Sequence, residues 1–335
     1  MRNLLLSLSL IIACSALPAS AANEGRITGG NNYTLPGWFK KSFLDLKEDL
    51  NQAKARNRHL FVFMHLDDCP YCARFLNENF REGGNRAFME NHFDVVPLNI
   101  RGANPVEWFD GKTYPEKVLA DHLKVVATPT LVFVDADGKI VLRLNGYRQP
   151  AAFRQTLEFV HGRHYQTQTL ASFVAQQKQK PVYEFRPHPS FVQTGDLGGY
   201  RQPLAVIFED RDCADCPEVH ERVFSHPEVL PELKKYRVVR LDAYSGAPIV
   251  DIDGRQTTPR EWATKLNVVY RPGVVLFNEG KERARVDGMQ HHFHFKTWLS
   301  YVSGQNYKRY PRFRDYNQVR QEELLKQGVT IDLSR

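Results

Sequence analysis

Apolar residues along the chain fall into two alternating patterns, one with a period of about 3.6 residues and one of short unbroken runs. Phe39, Phe43, Leu46 and Leu50 share one face at helical spacing and predict a helix over residues 38–55. The run Leu60-Phe61-Val62-Phe63-Met64 predicts a buried strand, and Phe75, Leu76 and Phe80 an amphipathic helix that Gly83-Gly84 ends. Residues 93–100 supply a further strand, and the stretch 102–113 reads as an insertion loop with Asp110-Gly111 near its end. Thr113-Tyr114-Pro115-Glu116 has capping-box spacing and predicts a helix running toward Leu123. A strand after Pro129 (Leu131-Val132-Phe133-Val134), the turn Asp137-Gly138, a strand over 140–144 and a helix over 150–160 complete a β/α order.

The pattern then repeats. Asp110-Gly111, the following helix and Pro129 recur as Asp253-Gly254, a helix around 261–266 and Pro272, at an offset of 143. Further along the offset is 142: Gly138 matches Gly280, Arg143 Arg285, Gly146 Gly288, Phe153 Phe295 and Tyr165 Tyr307. Upstream, Cys69 and Cys72 match Cys213 and Cys216 at an offset of 144, and the strand 204–208 stands where 60–64 stood. So many class-preserving matches predict duplicated domains. The expected division is a leader over 1–22, a first domain over 23–163, a connector with a short helix over 164–182, a second domain over 183–305 and a tail over 306–335. In that tail Tyr307, Tyr310, Phe313 and Tyr316 interleave with Lys308, Arg309, Arg312 and Arg314; packing of the rings onto the second domain is expected rather than stacking on nucleic acid.

Each repeat carries its chemistry at a strand-to-helix junction. In Cys69-Pro70-Tyr71-Cys72 two thiols separated by two residues can close and reopen a disulfide. A first cysteine at a helix N-terminus has unpaired N–H groups and the positive dipole end beside it, which stabilise a thiolate, so Cys69 is the expected nucleophile. Cys72, one turn further in, would attack the mixed disulfide and release the substrate. Pro70 suits the first turn because its missing N–H has no partner there anyway. Haem attachment needs His after the second Cys, and Ala73 stands there. A four-cysteine zinc site would have to join pairs 141 residues apart, each committed to its own junction.

Length, 335 residues, suits two domains, while 42% hydrophobic and 25% charged residues are ordinary for globular chains and name no function. The formal charge of +7 reads as a solvated surface of mixed sign. Residues 1–22 have the pattern of a secretory signal: Arg2, an apolar core over 4–13, and Ala19-Ser20-Ala21 after Pro18. The expected location is periplasmic, with a mature chain beginning at Ala22 or Asn23. The alternative is a lipoprotein anchored through Cys14, because Ile11-Ile12-Ala13-Cys14 resembles a lipobox. Without Cys14 four cysteines remain, in two close pairs, whereas disulfide staples would more often be scattered.

Taken together, Asp68-Cys69-Pro70-Tyr71-Cys72, the strand Val95-Val96-Pro97-Leu98-Asn99-Ile100, Asp110-Gly111, Ala127-Thr128-Pro129-Thr130 and Arg143-Leu144-Asn145-Gly146-Tyr147 make the chain similar to the periplasmic thioredoxin-related proteins of the SoxW type, in tandem. The resemblance covers most of 35–163, with a diverged copy over about 183–305. It implies an α/β fold of two thioredoxin-like domains, each a central mixed sheet flanked by helices. It implies thiol-disulfide oxidoreductase activity through Cys69 and Cys72, with Pro129 in the cis form and the Thr128 backbone pairing with a substrate strand. Cys213, Cys216, Arg271 and Pro272 take the same places in the second domain. The implied partners are periplasmic disulfide-containing proteins and a membrane electron donor of the DsbD or CcdA kind; no cofactor, metal or nucleic acid is called for.

The departures shape the rest of the expectation. Thioredoxins carry a buried Asp six residues before the first Cys to relay a proton, where Phe63 and Ile207 stand here. His65 and Asp67 are candidate substitutes acting through water, a surface role being the alternative. Asp212 and Asp215 crowd Cys213 and should raise its pKa, while Arg271, replacing Thr128, would set a cation near the same sulfur. The second pair thus either hands electrons to the first, or receives them from a different partner, or is a vestigial, structural one. His291, His292 and His294 align with Gln149, Pro150 and Ala152 at a helix entry, and an exposed polar cluster is expected there, not a metal site. A reading from another class is a binding or chaperone-like module that grips partner chains with little redox turnover.

Overall fold

The computed structural model describes residues 24–81, 84–177 and 181–334, so the leader, Cys14 and Gly83 lie outside the described residues. A short strand β1 (Ile27–Thr28) precedes the first repeat: α1 (Leu46–Ala55), β2 (His59–His65), α2 (Pro70–Phe75), α3 (Asn85–His92), β3 (Phe93–Asn99), β4 (Pro105–Glu107), β5 (Thr113–Pro115), α4 (Glu116–His122), β6 (Thr130–Val134), β7 (Ile140–Asn145), α5 (Pro150–His161) and α6 (Leu170–Gln176). The second runs β8 (Leu204–Glu209), α7 (Cys216–Val219), α8 (Leu230–Leu233), β9 (Arg237–Asp242), β10 (Ile249–Val250), β11 (Gln256–Thr257), α9 (Pro259–Lys265), β12 (Gly273–Asn278), β13 (Lys281–Val286) and α10 (His292–Ser303). Helix α11 (Phe313–Lys326) and β14 (Ile331–Asp332) close the chain, β14 pairing in parallel with β1.

Each repeat builds the same mixed sheet, in the orders β3-β2-β6-β7 and β9-β8-β12-β13. The central strands β2 and β8 pair in parallel on one side and antiparallel on the other. Both faces of β2 are covered, which is why its residues read as an unbroken apolar run. Phe61 and Phe63 face the layer of α2 and α5, while Leu60, Val62 and Met64 face α1 and α4.

Local departures from the sequence reading have identifiable causes. The first helix begins at Leu46, because Leu44 turns to a φ of 67° and the Asp45 carboxylate accepts the Glu48 N–H at 3.0 Å as an N-cap. Phe43, counted on the helix face, is fully exposed instead. Gly84 opens α3 as its N-cap residue, and the insertion loop holds the β4–β5 hairpin. Thr113 lies in β5 and Pro115 caps α4 without a side-chain bond, while Glu116 turns inward to accept the Asn99 N–H at 2.8 Å. The capping box stands in the second copy, between Thr258 and Glu261.

The repeats face each other across a pseudo-two-fold axis, and equivalent residues touch. Asn145 Nδ2 donates to Asp287 at 3.3 Å, Tyr147 forms a β-bridge with Met289, and Arg74 lies 3.5 Å from Glu218. At the axis the backbones of Gly146 and Gly288 meet: a Cβ on Gly288 would fall 2.6 Å from the Asn145 carbonyl oxygen. The connector and the tail prove to be equivalent as well. Phe173 of α6 packs on Phe159 of α5 at 5.5 Å between rings, as Tyr316 of α11 packs on Tyr301 of α10 at 5.4 Å. The tail aromatics therefore do lie on the second domain, with Phe313 stacked on Trp298. Each extension also reaches the other repeat: α6 lies against α9, and Arg312 and Arg314 pair with Asp121 of α4.

Candidate active site

Both cysteine pairs are joined as disulfides, with Cα separations of 5.2 Å for Cys69–Cys72 and 5.4 Å for Cys213–Cys216. Cys69 is the N-cap of α2, its sulfur accepting the Cys72 N–H at 3.1 Å. The same sulfur lies 3.3 Å from Thr128 Oγ1 and 3.6 Å from the Thr128 carbonyl oxygen. Thr128–Pro129 and Arg271–Pro272 are cis. The first site thus brings Cys69, Cys72, Thr128 and Pro129 together, with Cys69 nearly buried and Cys72 sealed beneath it.

The second site is built differently. Helix α7 starts at Cys216, with Asp215 as its N-cap residue, so Cys213 stands outside the helix terminus. The cause is one residue: in the first repeat the Ala73 N–H donates to the Cys69 carbonyl at 3.0 Å, and Pro217, which takes the place of Ala73, has no N–H to give. Arg271 does not serve as a free cation for the sulfur. Its Nε donates to Asp210 at 2.7 Å, and its Nη1 to the carbonyls of Val268 and Tyr270 at 2.8 and 3.1 Å. Nor does Asp215 crowd Cys213 as a solvated carboxylate; it is buried, accepting from Tyr270 Oη and from Gln149 Nε2 of the first repeat, both at 2.7 Å. Burial raises its pKa, opposed by those two hydrogen bonds, and burial likewise raises that of Asp210 against the pull of Arg271.

Two groups of buried polar residues lie two positions beyond that of the missing relay Asp, at the ends of β2 and β8. His65 is buried, not superficial, and its Nδ1 lies 2.8 Å from Tyr33 Oη; burial lowers its pKa, opposed by Asp67. Asp67 instead accepts from Asn99 at the surface. In the second repeat Glu209 takes the position of His65 and is fully buried. It lies 2.6 Å from His220 Nε2 and accepts from Tyr183 Oη at 3.2 Å, and Tyr183 packs on Cys213 and Cys216. An ionisable group is thus available to hold or return a proton beneath the second pair. The reading by position missed Glu209 because it sits two residues beyond Ile207, at the end of the apolar run. The signal was there: alternation along β8 puts Glu209 on the same face as Ile207.

The three histidines are not an exposed cluster. The ring of His291 stacks on Tyr71 at 4.9 Å, the His291 backbone N–H donates to Tyr71 Oη at 2.8 Å, and His294 Nδ1 lies 3.3 Å from that hydroxyl. His292 is buried elsewhere, its ring parallel to that of His226 at 3.9 Å. With Glu228 these two bring ligand atoms within 4.8 Å. Parallel rings aim their in-plane lone pairs side by side instead of at one point, and Lys296 already pairs with Glu228, so the group suits a metal poorly.

No curated protein sequence matches the chain. Among solved structures, a thioredoxin-fold protein from Helicobacter pylori is 22% identical, covering 35% of this chain and 83% of that one at a TM-score of 0.31. A thioredoxin from Thermus thermophilus is 26% identical, covering 41% and 87% at 0.28, and the DsbD C-terminal domain of Neisseria meningitidis in its oxidised form is 18% identical, covering 30% and 80% at 0.25. The thioredoxin-like domain model matches residues 46–161 and again 193–303. With the two equivalent sheets, cysteine pairs and cis-prolines, this makes the chain a member of the thioredoxin-like domain family, carrying that domain twice.

Proposed function

We propose that this is an exported thiol-disulfide oxidoreductase that reduces or exchanges disulfides in periplasmic partner proteins through Cys69 and Cys72. The supporting observation is the position of the Cys69 sulfur, which caps α2 and faces the residue before Pro129. The Cys69 thiolate attacks a substrate disulfide, forming one S–S bond and expelling a substrate thiolate that takes up a proton. Cys72 then attacks Cys69, releasing the second substrate thiol and leaving Cys69–Cys72 oxidised, so two electrons pass to the substrate. Thr128 and Pro129 hold the substrate chain as an added strand. The group assigned here to exchange, through water, the proton that Cys72 loses is His65, which Tyr33 holds.

Export rests on the leader pattern of residues 1–22, with an anchor at Cys14 as the other form, and among the described residues no helix is long and apolar enough to cross a membrane. In that setting a membrane electron donor of the DsbD or CcdA kind returns the oxidised pair to the dithiol, and the detailed likeness to the SoxW type belongs to the same proposal. The test is insulin reduction by the mature chain: Cys69→Ser should abolish turnover while leaving binding of an unfolded client intact. Retained turnover would remove Cys69 from the mechanism, and equal client handling without any turnover in the wild type would favour a binding module.

A further inference from the structure

The two cysteine pairs differ in what can reach them. At the first, Val126 is 38% exposed and Ala127 and Thr128 are partly open, so the edge beside Pro129 can receive a polypeptide strand. At the second, the residue equivalent to Ala127 is Tyr270, 4% exposed and locked by its bond to Asp215 and by the guanidinium of Arg148 lying 4.7 Å from its ring. Leu170 and Val174 of α6 line the same space as Val269, on the side a substrate strand would occupy. Gln149 ties the loop of Cys213 to the first repeat.

What remains beside Cys213 is a cavity of about 100 Å³ in the seam between the repeats, bordered by Asp212, Tyr244 and Gln155. Leu170, Val174 and Tyr270 border it where a peptide strand would have to lie. The exposed alanines Ala151, Ala152 and Ala214 border it on the solvent side.

We infer that the second pair is a site for low-molecular-weight thiols, entered through this seam, and that polypeptide disulfides and dithiols are handled at the first pair alone. The inference rests on the redox reading of the cysteines given above. In the step it implies, a small thiolate attacks the Cys213 sulfur, forming a mixed disulfide and freeing Cys216 as the thiolate, which takes up a proton. A second thiol molecule then attacks the small-molecule sulfur of that mixed disulfide, releasing the small disulfide and leaving Cys213 reduced. Two thiols are oxidised and one protein disulfide is reduced, with no other reactant.

The test uses the full mature chain in two forms, Cys69→Ser with Cys72→Ser to isolate the second pair, and Cys213→Ser with Cys216→Ser to isolate the first. Each is exposed to free cysteine or to a reduced single-domain thioredoxin, and the pair is read by the mass added on alkylation. The protein dithiol is the stronger reductant, so an inverted order of rates reports access. The second pair should be reduced by cysteine more than about tenfold faster than by the protein dithiol, and the first pair should show the opposite order. Val174→Asp, or the milder Gln149→Ala if that variant fails to fold, should let the protein dithiol reach the second pair. Reduction of both pairs by the protein dithiol at matching rates overturns the inference. So does a second pair inert to both reagents while the first responds, a result that leaves the function proposed for Cys69 and Cys72 standing; inertness of both pairs would remove that function too.

Discussion

Tyr71, the residue inside the first cysteine loop, is held by His291 of the other repeat, ring on ring and hydroxyl to backbone N–H. Its counterpart across the pseudo-axis is Asp215 held by Gln149, so each cysteine loop is gripped by the helix entry of the opposite repeat.

Replacing Tyr71 separates the two parts of that grip. Tyr71→Phe leaves the His291 N–H without its acceptor and should cost about 1–3 kcal/mol. Tyr71→Ala also empties the space of a buried ring and should cost about 3–5 kcal/mol. Urea unfolding followed by far-UV dichroism checks both values; an alanine variant no weaker than the phenylalanine one would show that the ring adds nothing to the seam.

Acid should loosen the same contact. Burial, with Arg74, His292 and Arg222 nearby and against Asp332, pushes the pKa of His291 down to about 4, and burial with His291 and His292 nearby does the same for His294. Free imidazole titrates at 6.5, so between pH 6.5 and about 4 the unfolded chain binds protons that the folded one refuses. Stability is therefore full above pH 6.5 and falls as pH drops through that window, by up to about 1.4 kcal/mol per pH unit for each ring. His59, also pushed to about 4, contributes a similar background. A chain with His291→Gln and His294→Gln should show a shallower loss of melting temperature over this range, and an unchanged slope would exclude these rings as the cause.

Removing Arg271 should be costly. Asp210 is 2% exposed, and its carboxylate depends on the guanidinium for its charge partner. Arg271→Ala leaves that carboxylate buried and unpaired, an effect of about 3–5 kcal/mol in urea unfolding at neutral pH. Adding Asp210→Asn should recover a large part of the loss. If the double variant is no more stable than Arg271→Ala, the ion pair is not what the arginine supplies.

Pro217→Ala tests why the second cysteine stands outside its helix. An alanine there can donate to the Cys213 carbonyl as Ala73 donates to that of Cys69, letting α7 begin two residues earlier, with Cys213 as its N-cap. A helix terminus stabilises an adjacent anion by about 0.3–1 kcal/mol, which lowers a thiol pKa by roughly 0.2–0.7 units. The pH profile of iodoacetamide alkylation of the reduced chain, with Cys69 and Cys72 changed to Ser, reads that shift directly. A profile that stays put would assign the helix start to something other than the proline.

The succession of strands and helices and both cysteine pairs were legible because each is a local signature, an apolar run or a CxxC, while the cis form of Pro129 followed from the family resemblance. The duplication was legible too, since it needs only matched positions. What the matches do not say is that the copies meet at those positions. Gly146 and Gly288 read as equivalent turns, while their contact is a fact of packing between residues 142 apart. For the same reason His291 and His294 read as a polar helix entry: the aromatic surface that shields them belongs to the other repeat. Glu209 shows a different limit, for alternation along β8 gives its face while the histidine and the tyrosine that enclose it come from elsewhere in the chain.

The meeting of like with like at Gly146 and Gly288 has an evolutionary reading. Contacts in which position i of one copy meets position i of the other are those of an isologous homodimer. A single-copy ancestor making them would have been a symmetric pair of identical subunits, bound to keep both centres alike. Fusion into one polypeptide fixed the ratio of the halves and released that constraint, so that alanine and tyrosine, threonine and arginine, or tyrosine and aspartate could settle on opposite sides of one inherited symmetry.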